Sequence, residues 1–295
     1  MKHQIDTKSL GGIYPALLTP FHPSGINQQA LRELIEYNIR KGVTGFYVCG
    51  SSAEVFLLTE QERMSLYEIV AEQAAGRVRL IAQVGSISTQ QAIGYAKRAK
   101  ELGYDAVSAV SPFYYGFRFA EIKQYYQSIM AASEMPMIMY HVLCTSKVSF
   151  SFDEIAEILS LDGVIGLKYT SNDFFTLELL KARFPEKIIF NGFDEMFLCG
   201  LSMGADGAIG STFNFMAETF IRIRQSYEDG KPKEALALQS EANRIIHVLV
   251  ECGVMQANKE ILCQLGFDFG SPRPPFAELT SAQKQRLHDE VTSRL

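Results

Sequence analysis

Residues 163–170 read GVIGLKYT: an apolar run over 163–167 is followed by a lysine and two further residues. A short apolar run of this kind predicts a strand that is buried on both faces. Seven further runs lie along the chain, and successive runs start about 20 to 35 residues apart, which is the repeat of a strand followed by a helix. The eight predicted strands are residues 13–18, 45–48, 79–84, 106–110, 137–140, 164–168, 188–191 and 207–210.

The segments between these strands have amphipathic patterns that predict helices. Thr59 with Glu62 three residues later is the pattern of a capping box, and Thr89 is a candidate N-cap of the next helix. The predicted helices between strands include residues 27–41, 59–74, 89–102, 119–132 and 152–159. Eight strand–helix repeats of similar length, without a Gly-x-Gly-x-x-Gly motif, favour a closed (β/α)8 TIM barrel over a doubly wound sheet.

The part of the chain after the eighth predicted strand also has helical patterns, over residues 216–229, 232–252 and 280–295. They predict the last helix of the barrel followed by a C-terminal helical extension. We find no linker rich in Pro, Gly or Ser that separates a second domain. The sequence therefore predicts a barrel over residues 1–225 and an extension over 226–295 packed on it, as one domain.

Composition excludes several classes of protein. The chain has 295 residues, of which 47% are hydrophobic, and a net charge of −5 without runs of like charge. This is the composition of a globular protein, without the basic patch that nucleic acids or anionic membranes require. The first residues are too polar for the apolar core of a signal peptide, and no apolar run approaches the roughly 20 residues of a membrane helix. We therefore expect a cytoplasmic protein.

The cysteines and histidines give no indication of a metal site. Five of each are dispersed along the chain, without a Cys-x-x-Cys pair or another metal-ligand spacing. The sequence predicts reduced thiols and no bound metal.

Lys168 is the sharpest candidate for a catalytic residue. In a (β/α)8 barrel the active site is built at the carboxyl ends of the strands, and Lys168 ends the sixth predicted strand. A buried lysine is costly unless it is paired or its pKa falls, and a lowered pKa is what a Schiff-base nucleophile needs. The alternatives are a lysine that reaches solvent at the end of the strand, or one that pairs with Asp194 or Glu195.

Two other strand ends carry candidate functional groups. Tyr140 ends the strand before that of Lys168, where its phenol can act as a general acid and base, although core packing also explains a tyrosine there. After the second strand, Ser51 and Ser52 form a turn whose N–H groups and hydroxyls suit a carboxylate or a phosphate. Residues 204–210 contain glycines spaced for phosphate binding, and tight turns explain them equally well.

Taken together, these strand ends resemble the pyruvate-dependent class I aldolases of the dihydrodipicolinate synthase and N-acetylneuraminate lyase family. The likeness extends over nearly the whole chain, and it implies a TIM barrel. Within the family it is strongest to members that cleave N-acetylneuraminate, because no arginine follows Tyr140 as it does in the synthases. The resemblance is carried by residues 16–21, 50–54, 112–115, Tyr140, 166–170, 191–195 and 210–214.

The resemblance implies a role for each candidate residue. Lys168 forms an imine with the keto group, Tyr140 takes the proton of the C4 hydroxyl as the C3–C4 bond breaks, and Tyr114 supports the proton relay. The turn of Ser51 and Ser52 holds the carboxylate of pyruvate. The residues implied to recognise the sugar chain are Thr170, Gly192, Asp194, Glu195 and Ser211. The resemblance further implies that no cofactor is needed and that the protein is a homotetramer.

Two departures from the family pattern keep alternatives open. Ala53 stands where the family usually has glycine, which leaves room for a non-catalytic paralogue that binds a sugar acid. Residues 141–147 also depart, with His141, Leu143 and Lys147 in place of the usual asparagine, proline and glycine. An aldolase of the same mechanism for another 2-keto-3-deoxy sugar acid is therefore the second alternative.

Overall fold

The computed structural model describes residues 7–295, so the first half of the polar N-terminal segment, residues 1–6, lies outside the described residues. The chain forms two compact units, which we describe separately. The first unit comprises Arg79–Ile209 and the described residues up to Gly12, and the second comprises Ile13–Val78 and Gly210–Leu295. The predicted boundary between residues 225 and 226 stays a prediction.

Eight strands of one sheet alternate with helices along the chain. The strands are Ile13–Pro15 (β1), Gly45–Val48 (β2), Arg79–Gln83 (β3), Ala106–Val110 (β4), Met137–Val142 (β5), Val164–Thr170 (β6), Ile188–Asn191 (β7) and Gly207–Gly210 (β8). Their order in the sheet is β1-β8-β7-β6-β5-β4-β3-β2. A parallel bridge between Ala16 and Tyr47 also brings the chain after β1 beside β2. This is the strand order of a (β/α)8 barrel, the predicted fold class.

Twelve α-helices lie in the described residues. They are Gln28–Arg40 (α1), Glu60–Ala74 (α2), Thr89–Glu101 (α3), Phe119–Ser133 (α4), Leu143–Ser146 (α5), Phe152–Leu159 (α6), Phe174–Arg183 (α7), Phe197–Ser202 (α8), Phe213–Glu228 (α9), Pro232–Cys252 (α10), Val254–Gln264 (α11) and Ser281–Glu290 (α12). Over residues 7–295, none of the helices combines the length and the apolar character that a membrane crossing requires.

The helix ends confirm one predicted cap and correct two predictions. The capping box of Thr59 and Glu62 is present at the start of α2. The N-cap of α3 is Ser88 and not Thr89, because the Ser88 hydroxyl accepts the hydrogen bond from the N–H of Gln91. The helix predicted over 280–295 ends earlier, since α12 stops at residue 290 and a separate 3-10 turn follows it.

In the first unit, the register of β5, β6 and β7 sets the relative positions of the candidate residues. Tyr140 pairs with Lys168, and Lys168 in turn pairs with Phe190, all in parallel ladders. Gly166 allows β6 and β7 to lie this close, because a Cβ at this position would lie about 2.2 Å from the backbone oxygen of Ile188. The strand ladders therefore place Tyr140 and Lys168 side by side.

In the second unit, the side chain of Asn214 joins β1 to the segment after β8. Its Oδ1 accepts a hydrogen bond from the N–H of Leu18, and its Nδ2 donates to the carbonyls of Ala16 and Ser211. Asn214 is fully buried, so these bonds are protected from exchange with water. The amide therefore fixes the backbone at the end of β8.

Candidate active site

Lys168 and Tyr140 lie side by side on neighbouring strands, each two residues before the carboxyl end of its strand. Each is only 4% exposed. The ammonium nitrogen of Lys168 lies 4.2 Å from the centre of the Tyr140 ring. The burial contradicts the alternative in which Lys168 reaches solvent at the end of its strand.

The environment of Lys168 changes its protonation. Burial lowers the pKa of Lys168 from 10.5 to about 7, because the charged ammonium loses its hydration, and the carboxylate of Asp194 partly opposes this fall. A large part of the lysine is therefore a neutral amine near neutral pH. This is the protonation state in which a lysine attacks a carbonyl carbon.

Four of the residues predicted to bind the sugar chain also lie in the first unit and are close in the chain or the sheet. Thr170 ends β6 and is 7% exposed, and its Oγ1 has no hydrogen-bond partner within residues 7–295. Gly192 follows β7 and lies against Thr170, since a Cβ on Gly192 would come within 1.9 Å of that hydroxyl oxygen. Asp194 is buried at the start of the next 3-10 turn. The end of β6 and the residues after β7 therefore bring together a buried hydroxyl, a close backbone approach and a carboxylate.

Glu195 and Tyr114 differ from these residues in exposure. Glu195 is half-buried in the 3-10 turn Asp194–Met196. Tyr114 is 84% exposed, has a left-handed φ of 78°, and packs edge-on against Tyr115 with ring centres 5.0 Å apart. The predicted role of Tyr114 in proton transfer stays a prediction.

The serines predicted to bind substrate belong to the second unit. The 3-10 turn Ser51–Ala53 follows β2, with Ser51 exposed and Ser52 half-buried. Ser211 is half-buried directly after β8, where its carbonyl accepts from Asn214. Ala53 keeps a negative φ, so its methyl group fits the turn without strain in the left-handed region.

Sequence reasoning missed the environment of His141. Its ring stacks on Tyr169, with centres 5.4 Å apart and planes inclined by 20°. It also approaches Phe150 at 5.8 Å. Its Nδ1 is buried without a hydrogen-bond partner among the described residues, and burial lowers the pKa of the imidazole. The only signal in the sequence was its position directly after Tyr140.

A buried ion pair in the second unit was also missed. Glu54, which follows the turn of Ser51 and Ser52, contacts Lys259 of α11. The sequence contains no local pattern that joins two positions so far apart. In the described part of the chain, no three or more His, Cys, Asp or Glu side chains are grouped to hold a metal ion.

Comparison with known proteins identifies the family. Residues 9–294 match the dihydrodipicolinate synthetase family. An N-acetylneuraminate lyase of Rhizobium meliloti is 41% identical over 283 residues, which cover 96% of this chain and 94% of the relative. The chain belongs to the dihydrodipicolinate synthetase family.

Solved structures agree with this assignment. CdNal from Clostridium difficile, solved in complex with mannosamine, is 39% identical with a TM-score of 0.94 over 97% of this chain and 99% of that one. The N-acetylneuraminate lyase of Fusobacterium nucleatum is also 39% identical, with a TM-score of 0.93 over 97% and 99% of the two chains. Both the family resemblance and the (β/α)8 fold class predicted from the sequence are confirmed.

Proposed function

We propose that this protein is a class I aldolase that cleaves N-acetylneuraminate reversibly to pyruvate and N-acetylmannosamine. The observation that carries the proposal is the buried Lys168, whose pKa of about 7 supplies a neutral amine beside Tyr140. The similarity to N-acetylneuraminate lyases over almost the full chain supports the choice of substrate. Carbon–carbon cleavage next to a keto acid is the reaction that this pair of groups can perform.

The reaction begins at the keto carbon of the open-chain sugar acid. The neutral Nζ of Lys168 attacks C2, the phenol of Tyr140 gives its proton to the departing oxygen, and water and a protonated imine result. The phenolate that this transfer leaves on Tyr140 then takes the proton of the C4 hydroxyl. The electrons of the C3–C4 bond flow into the imine, which becomes an enamine, and N-acetylmannosamine leaves as an aldehyde.

The second half of the reaction regenerates the lysine. The enamine takes a proton at C3 and becomes the imine of pyruvate, and Tyr114 supports the relay that returns this proton. Water then hydrolyses the imine and releases pyruvate, so that one water leaves and one is consumed. Tyr140 takes the proton that the hydrolysis releases, so the amine of Lys168 and the phenol of Tyr140 are restored for the next turnover.

Substrate recognition is assigned to two groups of residues. Ser51 and Ser52 bind the carboxylate of the keto acid through hydroxyl and N–H groups, as the resemblance implies. The residues that bind the polyhydroxyl chain are Thr170, Gly192, Asp194, Glu195 and Ser211. For Thr170 the support is direct, because a buried hydroxyl without a partner loses hydrogen bonds unless a ligand supplies one.

The test is borohydride reduction of the protein in the presence of N-acetylneuraminate, followed by peptide mass mapping. The expected product is a pyruvate-sized adduct on Lys168, which requires both imine formation and cleavage. Lys168→Ala should abolish the adduct and turnover. The matched control is Lys187→Ala, because Lys187 donates to the carbonyl of Val164 at the start of the same strand. The Lys187→Ala variant should keep both the adduct on Lys168 and turnover.

Other adducts would favour the alternatives. An adduct that carries the whole sugar acid indicates binding without cleavage, and faster turnover of 2-keto-3-deoxygluconate than of N-acetylneuraminate would favour an aldolase for another sugar acid. No adduct with either N-acetylneuraminate or pyruvate would refute the imine mechanism.

Tyr140→Phe separates imine formation from cleavage. The variant should still form the imine, but turnover should fall about 100-fold or more, since a positioned acid–base group contributes about that much. Unchanged turnover would remove Tyr140 from the reaction. The homotetramer, the cytoplasmic location and the absence of a cofactor stay predictions that rest on the sequence and the family resemblance.

A further inference from the structure

The second unit contains an ion pair that is shielded from water. Nζ of Lys259, on α11, lies 2.5 Å from Oε1 of Glu54, and the side chains are 1% and 0% exposed. Glu54 follows the Ser51–Ala53 turn directly. A buried ion pair adds little stability compared with apolar side chains of the same volume, because both charges lose their hydration. The role of this ion pair therefore depends on the backbone that it holds in place.

Arg273 and Phe21 complete the surroundings of the ion pair. The backbone N–H of Arg273 donates to Oε2 of Glu54 at 2.7 Å. The ammonium of Lys259 lies 4.0 Å from the centre of the Phe21 ring, and the guanidinium of Arg273 lies 4.3 Å from it. Both carboxylate oxygens of Glu54 are therefore held by residues from the C-terminal part of the chain.

The same arginine also holds the chain that follows Glu54. Its guanidinium donates to the carbonyl of Leu57 at 3.1 Å and forms two hydrogen bonds with the carboxylate of Glu62 at the start of α2. Planar, paired bonds of this kind fix direction as well as distance. The backbone from Glu54 to Glu62 is thus held along its length.

The backbone around the turn requires such support. Cys49 and Glu54, on either side of it, have left-handed φ angles of 59° and 57°. Residues with a side chain rarely adopt this conformation, and it persists where the surroundings fix it. The hydroxyl of Thr19 also donates to the carbonyl of Ala53 at 3.0 Å.

We propose that Glu54, held by Lys259 and Arg273, is a positioning residue that fixes the turn of Ser51 and Ser52 for binding the carboxylate of the keto acid. The proposal rests on the proposed function, in which this turn binds that carboxylate. The residue acts through the turn and does not touch the substrate. Its loss should therefore weaken the recognition of ketones that carry a carboxylate and leave the amine of Lys168 reactive.

The experiment compares two ketones that form an imine with Lys168. Pyruvate carries a carboxylate and acetone does not, and borohydride trapping with mass mapping measures the labelling of Lys168 at increasing concentrations of each. The variants are Lys259→Met, Glu54→Gln and the double variant. The double variant removes both buried charges with little change of volume, so it keeps the protein folded if a single variant does not.

The control is Lys41→Met, in the same unit. Lys41 also combines an ion pair, 2.7 Å from Glu218, with a ring contact, 5.3 Å from the centre of Tyr37. It carries the same substitution away from the turn. Thermal unfolding of every variant records whether the fold is retained.

In the variants of Glu54 and Lys259, the pyruvate concentration for half-maximal labelling should rise about tenfold or more, within the roughly 100-fold that a misplacement of about 1 Å can cost. Labelling by acetone should stay as in the unaltered protein, and the control should change neither. Equal losses with both ketones, or no loss with pyruvate in a folded double variant, would overturn the positioning role. Failure of pyruvate to label the unaltered protein would instead refute the proposed function, and the positioning role with it.

Discussion

The pH dependence of imine formation follows from the burial of Lys168. With a pKa of about 7, about three-quarters of the lysine is neutral at pH 7.5, against about one part in a thousand for a lysine of pKa 10.5. The rate of imine formation with pyruvate should therefore rise about tenfold per pH unit below pH 7 and level off above about pH 8. The rate is measured by trapping the imine with cyanoborohydride at a series of pH values.

Asp194 provides the perturbation that tests this reasoning. Its carboxylate raises the pKa of Lys168 against the effect of burial, so Asp194→Asn should lower that pKa further. The midpoint of the pH profile should then move to lower pH. The control is Asp153→Asn, because the side chain of Asp153 lies in the same unit and is 91% exposed. It should leave the midpoint unchanged.

Two results would refute the reasoning. A midpoint above about pH 9 in the unaltered protein would mean that burial does not control the protonation of Lys168. A midpoint that moves to higher pH in Asp194→Asn would mean that the carboxylate acts on Lys168 by something other than its charge. Either result can be read without knowledge of the natural substrate, because pyruvate alone is the probe.

Three further predictions concern stability and recognition. Lys168→Met should raise the free energy of unfolding by roughly a few kcal/mol at pH 7 and by less toward pH 10.5, because only the unfolded state binds the lysine proton in that range. Thermal unfolding at pH 6.5 and at pH 9.5 measures this difference, and an equal gain at both pH values would contradict it. Gly192→Ala should destabilise the protein or raise KM strongly, because the new Cβ meets the Thr170 hydroxyl. The control Gly94→Ala has open space around it, so in thermal unfolding it should be neutral or stabilising by about 0.5–1 kcal/mol. Thr170→Val should raise KM for N-acetylneuraminate about tenfold without loss of thermal stability, since it removes a buried hydroxyl without a partner; an unchanged KM would contradict the role in sugar binding.

The strands of the barrel were largely predictable, because their apolar runs are set locally. The predicted ranges 45–48, 106–110, 188–191 and 207–210 coincide with β2, β4, β7 and β8. The predicted strands 137–140 and 164–168 stop two residues too early. The ladder between β5 and β6 continues through the pairs of His141 with Tyr169 and Val142 with Thr170. No apolar pattern in the sequence predicts these last pairs.

The helices were less predictable where the signal at their start was weak. The helix α11 was missed because Gly253, with a φ of 99°, separates it from α10 and offers no side chain to cap it. The predicted helix over 216–229 begins earlier, at Phe213, and contains a kink at Met216. The helix contains no proline or glycine, so its sequence gives no indication of this kink.

Of the candidate site, the sequence could indicate the strand ends but not their surroundings. Lys168 was predicted as a candidate because it follows an apolar run, and the structure then gave its burial and its neighbour Tyr140. The hydrogen bond from Arg273 to Glu54 joins positions 219 residues apart, so only the folded chain reveals it. Contacts of this length carry no local signature in a single sequence.

The pairing of Tyr140 with Lys168 has a consequence for how such enzymes diversify. Their separation is set by backbone hydrogen bonds between β5 and β6, and not by the loops that follow these strands. Residues 143–147, which form α5 and its C-cap, lie beyond the paired residues and take no part in this ladder. In a lineage with this fold, mutation of the segments after the strands can therefore change which sugar acid is bound, while Tyr140 and Lys168 keep their relative positions.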